Sequence, residues 1–191
     1  MYAFDYVKPA SAAEAVSAAD EETRYLAGGQ SLVQSMRLRL ASASKLIDLG
    51  AIPDLVGITV EQGSVRIGAM TTHAAVAASP EVRQAIPALA ELAGGIGDPM
   101  VRNMGTIGGS LANADPAACY PAGVLGLGAT IQTDRREIPA DDFFRGLYET
   151  ALEPGELIRS VSFPVPERAA YVKFKQPASR FALVGVMVSR G

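Results

Sequence analysis

Arg102-Asn103-Met104-Gly105-Thr106-Ile107-Gly108-Gly109-Ser110-Leu111-Ala112-Asn113-Ala114-Asp115-Pro116 places glycines, short hydroxyl side chains and amides between two apolar regions. A segment of that composition makes a poor core. A glycine run lets the backbone come close to a ligand and turn successive N–H groups toward it, as in phosphate cradles that need no lysine. Thr106 and Ser110, on either side of Ile107-Gly108-Gly109, add hydroxyl donors beside those amides. Taken alone, the stretch also reads as a glycine-rich bend between two strands.

Working upstream, Tyr25-Leu26-Ala27-Gly28-Gly29-Gln30-Ser31-Leu32 carries a second glycine element. The strand-like Thr23-Arg24-Tyr25-Leu26 runs into Gly28-Gly29, and Ser31 to Leu38 reads as a helix. A strand, a glycine turn and a helix start form an anion site, because the first-turn N–H groups lack partners. Neither a Walker ending nor the Gly-x-Gly-x-x-Gly of a dinucleotide turn is present. Two such loops in one chain imply a diphosphate held from both sides.

The pair Ala27-Gly28-Gly29-Gln30-Ser31-Leu32 and Arg102 to Ser110 resembles the two FAD-pyrophosphate motifs of the flavoprotein subunits of molybdenum hydroxylases. That family includes the medium subunit of carbon monoxide dehydrogenase and the FAD domain of xanthine dehydrogenase. The likeness runs in order from Tyr2-Ala3-Phe4-Asp5-Tyr6 through Glu156-Leu157-Ile158-Arg159 to Phe174-Lys175-Gln176 and Ser179-Arg180-Phe181-Ala182. It implies FAD as cofactor, bound by Leu26 to Leu32 and by Thr106, Ile107, Gly108, Gly109 and Ser110. It also implies that Ile96 and Ile158 pack against the flavin or adenine, that Asp115 receives a ribose hydroxyl, and that Lys175 lies close to the flavin ring. For Asp115 an ordinary Asp-Pro turn fits as well, and for Lys175 a solvated strand lysine does. One position departs from the family: Ala114-Asp115-Pro116-Ala117-Ala118 is followed by Cys119, where the family has an FAD-binding Asp. A thiol is a weak hydrogen-bonding group, so looser FAD retention is expected.

Composition sets the outer bounds. The 191 residues are 49% hydrophobic, enough to bury a core as one domain or two small lobes. A net charge of -3 and a pI near 5.2 argue against nucleic acid as a partner, because phosphate binding would need a basic face. One cysteine and one histidine cannot build a disulfide framework, an iron–sulfur cluster or a typical zinc site. Metal chemistry must therefore come from partners. The N-terminus lacks the basic and apolar regions of a signal peptide, and Ala122 to Ile131 is too short to span a membrane. A cytoplasmic protein is expected.

Along the chain, Ser11-Ala12-Ala13-Glu14 reads as a capping box opening a helix to about Ala19. With the strand into Gly28 and a strand at Lys45 to Leu49, it makes a β/α lobe over residues 1–55. The second, larger α+β lobe spans 56–176. It contains a hairpin about Gln62-Gly63, helices at Thr72 to Ala78, Pro80 to Ala93 and Pro121 to Leu127, a hairpin about Asp134-Arg136, and strands at Leu157 to Val165 and Tyr171 to Lys175. The apolar run Ala182 to Val188 lies in residues 177–191, the expected start of the family's C-terminal domain, whose remainder is expected to be missing. His73 follows two threonines and reads as a helix cap or surface residue. Asp98 could receive a ribose hydroxyl, and Arg102 reads as a brace for the glycine loop.

The expected fold is thus α+β, two lobes clamping FAD. The resemblance implies an electron-exit subunit in a hetero-oligomer with a small [2Fe–2S] subunit and a large molybdenum-cofactor subunit, passing electrons to NAD, a quinone or dioxygen. A stand-alone flavin oxidase, and a non-catalytic remnant or assembly protein, are the other readings. Gly29→Val or Gly108→Val is expected to abolish FAD binding with the fold largely intact.

Overall fold

The computed structural model describes residues 1–191. In the first lobe, β1 (Asp5–Val7), α1 (Ala12–Ser17), β2 (Thr23–Leu26), α2 (Leu32–Arg37) and β3 (Lys45–Asp48) follow one another. Ser11 Oγ accepts from Glu14 N at 3.2 Å as the capping box implies, while the Glu14 carboxylate reaches one residue further back than the N-cap and accepts from Ala10 N at 2.9 Å. The strands form a parallel sheet in the order β1-β3-β2. Parallel neighbours need crossovers, and the two helices supply them. The lobe buries Ala15, Ile47, Leu49, Ile52 and Leu55 together with Leu157, which comes from far along the chain. Tyr25 Oη donates to Gly155 O at 2.8 Å, and burial, with Asp134 nearby, pushes that phenol up to about 12. The two lobes are therefore joined by a shared core and a half-buried hydrogen bond.

The second lobe opens with the hairpin β4 (Ile58–Glu61) and β5 (Ser64–Gly68), turning at Gln62 and Gly63 with φ of 49° and 77°. Left-handed backbone at both positions is what a two-residue turn of this hand requires. Six helices follow: α3 (His73–Ala78), α4 (Pro80–Ala85), α5 (Pro87–Gly94), α6 (Pro99–Met104), α7 (Ile107–Asn113) and α8 (Cys119–Gly126). The chain then makes β6 (Thr130–Thr133), β7 (Glu137–Pro139), α9 (Ala140–Phe143), β8 (Phe144–Gly146), β9 (Glu149–Thr150) and β10 (Ile158–Pro164). Its antiparallel sheet has the order β4-β5-β10-β6-β7, and the helices cover it over a core of 26 buried residues. The single helix expected over Pro80 to Ala93 is two helices. Pro87 has no N–H to continue the first, and Ile86 leaves helical geometry at φ -139°, ψ 73°.

Glu156, just before β10, has a fully buried side chain. Its carboxylate accepts from Thr133 Oγ1 (2.8 Å), Arg136 Nε and Nη2 (both 3.0 Å) and Glu153 N (2.8 Å). Burial raises its pKa, but these donors prevail and hold the carboxyl down at about 2. The β6–β7 turn is thereby tied to the segment that returns to the first lobe.

The last two strands, β11 (Arg168–Lys175) and β12 (Ala182–Arg190), pair only with each other, so the expected boundary at 176/177 passes through their connection. One face docks inward: Met187 is buried on α8, where a Cβ at Gly126 would stand 2.7 Å from Met187 O, and Ser189 Oγ donates to Gly126 O. On the other face Val172, Phe174, Val184, Val186 and Val188 are 51–72% exposed. An apolar strand face of this kind recruits another surface. The isolated chain is expected to self-associate in light scattering as concentration rises, and Val184→Lys/Val186→Lys to restore the monomer. A monomeric parent at high concentration would contradict this.

Candidate functional site

A cleft of about 930 Å³ opens between the first lobe, helices α6 to α8 and the β11–β12 hairpin. This is the upper end of the size range for small-molecule sites, about 300–1,000 Å³. Its wall includes every residue from Ala27 to Leu32, together with Ile96, Thr106, Gly109, Ser110, Asp115 and Cys119. Leu26, Ile107, Gly108, Ile158 and Lys175 do not line it. Leu26 stands behind Gly29, while Ile107, Gly108 and Ile158 belong to the buried interior.

The tertiary structure brings the two glycine motifs into contact. A Cβ at Gly28 would lie 2.0 Å from Met104 O and 2.8 Å from Gly105 Cα, and one at Gly109 would lie 3.4 Å from Ala27 Cβ. Gly28 is thus required by the close approach of the α6–α7 connection, and Gly29 by its φ of +68°. Between β2 and α2, no backbone N–H from Ala27 through Leu32 donates to a protein acceptor. Six consecutive unpaired amides on the wall of a cleft are ready donors for an anion.

The second motif behaves differently from its sequence reading. It is not an open glycine loop: Thr106 caps α7, and Gly108 and Gly109 sit in its first turn. Ile107 N donates to Thr71 O (3.1 Å), Gly108 N to Ala69 O (2.8 Å), Gly109 N to Thr106 Oγ1 (3.1 Å) and Ser110 N to Thr106 O (3.0 Å). Those amides are satisfied within the protein, and the Ser110 hydroxyl is the donor this motif leaves toward the cleft. Gly108 is small because Ala69 is in the way: a Cβ would stand 2.6 Å from Ala69 Cβ and 2.8 Å from Ala69 O.

Asp115 follows Ala114, which closes α7 at φ 47°, and its Oδ1 accepts from Ala117 N at 2.9 Å in a turn while the residue lines the cleft. Asp98 Oδ1 caps α6, accepting from Met100 N at 2.7 Å. Arg102 Nη1 donates to Ile96 O (2.8 Å) and Gly97 O (3.2 Å), bracing the turn before α6. Cys119 is buried, with Sγ 3.2 Å from Lys173 Nζ, and Lys173 also donates to Gly95 O at 3.0 Å. Lys173 is the lysine of this cleft, and the sequence reading passed over it. Strand alternation puts Tyr171 and Lys173 on the inner face, and a register shift between Phe174 and Lys175 carries Lys175 out to the rim.

His73 also differs from expectation, being neither cap nor surface residue. Thr72 is the cap, accepting from Ala75 N, and the His73 side chain is buried 5.3 Å from the Tyr120 ring. Burial, with Arg102 nearby, pushes its pKa down to about 4, so the ring is neutral at ordinary pH. Its Nδ1 has no protein partner, and the residue lines the cleft.

Unpaired amides for a diphosphate, an apolar and cationic end at Ile96, Phe181 and Lys173, and room for a dinucleotide fit FAD. No three His, Cys, Asp or Glu side chains converge on a metal position, and no helix is long and apolar enough to cross a membrane.

Comparison with known proteins matches residues 2–166 to the FAD binding domain in molybdopterin dehydrogenase. The carbon monoxide dehydrogenase medium chain of Afipia carboxidovorans is 42% identical over 97% of this chain and 68% of its own length. The nicotine 6-hydroxylase medium subunit of Paenarthrobacter nicotinovorans is 38% identical, with the same coverages. Among solved structures, quinoline 2-oxidoreductase from Pseudomonas putida 86 superposes with a TM-score of 0.93 at 36% identity, over 96% of this chain and 67% of that one.

Proposed function

Because the chain belongs to the family of FAD-binding domains of molybdopterin dehydrogenases, with FAD as its cofactor and oxidoreductases as its class, we propose that it is the electron-exit subunit of a molybdenum-containing hydroxylase complex. Its relatives are named as medium chains and medium subunits, which supports a hetero-oligomer. In this reading electrons come from a large molybdenum-cofactor subunit through [2Fe–2S] clusters of a small subunit, and leave to NAD, a quinone or dioxygen. Bound FAD supplies the redox chemistry; the protein supplies binding, orientation and electrostatics.

The observation that carries the reading is the run of six unpaired amides from Ala27 to Leu32 at the meeting point of the two glycine motifs. Those amides and the Ser110 hydroxyl hold the diphosphate. Asp115 keeps one carboxylate oxygen for a ribose hydroxyl, and Lys173, fixed by Gly95 O and Cys119 Sγ, presents its ammonium to the cleft. Acid denaturation of the purified protein is expected to release all of its flavin as FAD. Flavin retained by the polypeptide, or FMN in the supernatant, would overturn the reading. Co-purification is expected to bring down one iron–sulfur and one molybdenum-cofactor subunit.

Cys119→Asp is expected to tighten FAD binding about tenfold, the effect of one added charge-assisted contact. Lys173 Nζ, 3.2 Å from the present sulfur, offsets the desolvation that otherwise opposes a buried carboxylate. Cys119→Ser is expected to change little. Calorimetric titration of the apo proteins tests this; weaker binding by the aspartate variant would remove Cys119 from the ribose contact.

A further inference from the structure

Beside the flavin cleft, and meeting it at Gly97 and Arg180, lies a second cavity of about 420 Å³. Pro177 is the one apolar side chain of its lining, no carboxylate is present, and three of its residues are the cations Arg102, Lys175 and Arg180. None of the three is in an ion pair, although the chain as a whole is net negative. Like charges gathered in one concavity repel one another and raise the local concentration of anions.

Arg102 has its guanidinium, and Arg180 its main chain, held by backbone hydrogen bonds. Arg102 Nη1 is anchored on Ile96 O and Gly97 O, which leaves Nε and Nη2 without protein acceptors. Arg180 is held at φ +60° by a turn in which its own N–H donates to Gln176 O while Gln176 N donates to Phe181 O, both at 2.9 Å. A left-handed arginine is uncommon and is kept only where its surroundings determine it. The Arg102 charge, ordered before a ligand arrives, loses less entropy on binding. Guanidinium forks and an ammonium around glycine backbone match the oxygens of a phosphate group.

The geometry points to a second binding site, at Arg102, Lys175 and Arg180, for a phosphate-bearing small molecule that binds alongside FAD. A phosphate could reach this cavity on FAD itself or on a separate solute. It is assigned to a separate solute because the free amides that suit the FAD diphosphate lie in the neighbouring cleft. That part rests on the FAD reading; the anion site does not.

Inorganic pyrophosphate is the probe, titrated calorimetrically at low salt into the FAD-loaded and the FAD-free protein. One site is expected in the FAD-loaded protein and two in the FAD-free protein, where the unpaired amides of the flavin cleft are open as well. Lys175→Gln/Arg180→Gln is expected to weaken the cavity site about tenfold or more in the FAD-loaded protein, through the loss of charge-assisted contacts, and to leave the FAD-free protein with the cleft site alone. Binding to the FAD-free protein that FAD abolishes entirely would make the cavity part of the flavin site and overturn the proposal. Equal binding by parent and variant, or no binding to either form, would overturn it too. If the protein takes up no FAD, the FAD-free arm still decides the anion site, so the two readings fail separately.

Discussion

Glu156→Ala is expected to lower stability by about 3 kcal/mol, the low end of the range for breaking a buried charge pair. The substitution leaves Glu153 N and Arg136 Nε without a protein acceptor and takes one partner each from Thr133 Oγ1 and Arg136 Nη2, which keep Arg136 O and Ala151 O. Arg136 is 42% exposed and recovers water, which keeps the loss at the lower limit. The loss is large against the roughly 5–15 kcal/mol that holds a domain folded. It also carries a pH signature. The carboxyl is held down at about 2 in the folded protein against an ordinary 4.5, so its stabilisation is complete above the ordinary value and is lost as pH falls toward 2. Urea midpoints measured from neutral pH into acid should therefore fall more steeply for the parent than for Glu156→Gln. Parallel profiles would mean that Glu156 is not the group responsible.

Gly108→Val is expected to prevent stable folding, and with it FAD binding, in place of the selective loss of binding that the motif alone implies. A side chain there would drive into Ala69 Cβ and Ala69 O at the end of β5, against a wall that is part of the main core. Overpacking a core costs about 1–3 kcal/mol even where neighbours give way, and here the obstructing atoms include backbone. Gly29→Ala is the contrasting variant. Its strain is about 1–2 kcal/mol for a left-handed alanine, its nearest neighbour is the movable Val33 Cγ2 at 3.1 Å, and its amide is one of the unpaired six. FAD affinity should fall while the protein still melts cooperatively. Circular dichroism melts beside FAD titrations separate the two cases; a Gly108→Val protein that melts like the parent would show that α7 does not depend on that contact.

Local chemistry was legible where a signal and its partner are close in the chain. Ser11 with Glu14, the Gln62-Gly63 turn, Thr72 and the pre-proline Ser79 announce the element starts that the structure contains. The strand, glycine turn and helix over Thr23 to Leu38 are likewise read directly from residues. The motif pair also sufficed to place the chain in its family, since its order and spacing survive without knowledge of contacts. The break at Pro87 was legible too, but the apolar run on either side of it masked the signal.

What the sequence determined by itself is therefore the α+β class, the two glycine motifs and the FAD family. Tertiary structure decided which of those glycines leave amides free, since the carbonyls that occupy Ile107 N and Gly108 N belong to Thr71 and Ala69, on a different part of the chain. It decided that Lys173 faces the cleft and Lys175 does not, through a register shift between β11 and β12 at the unpaired Leu183 that no local pattern announces. It also buried His73 against Tyr120 and Glu156 among Thr133 and Arg136. Propensity and capping act over a few residues and can be read in place, whereas donor availability and desolvation depend on atoms that only the folded chain brings together.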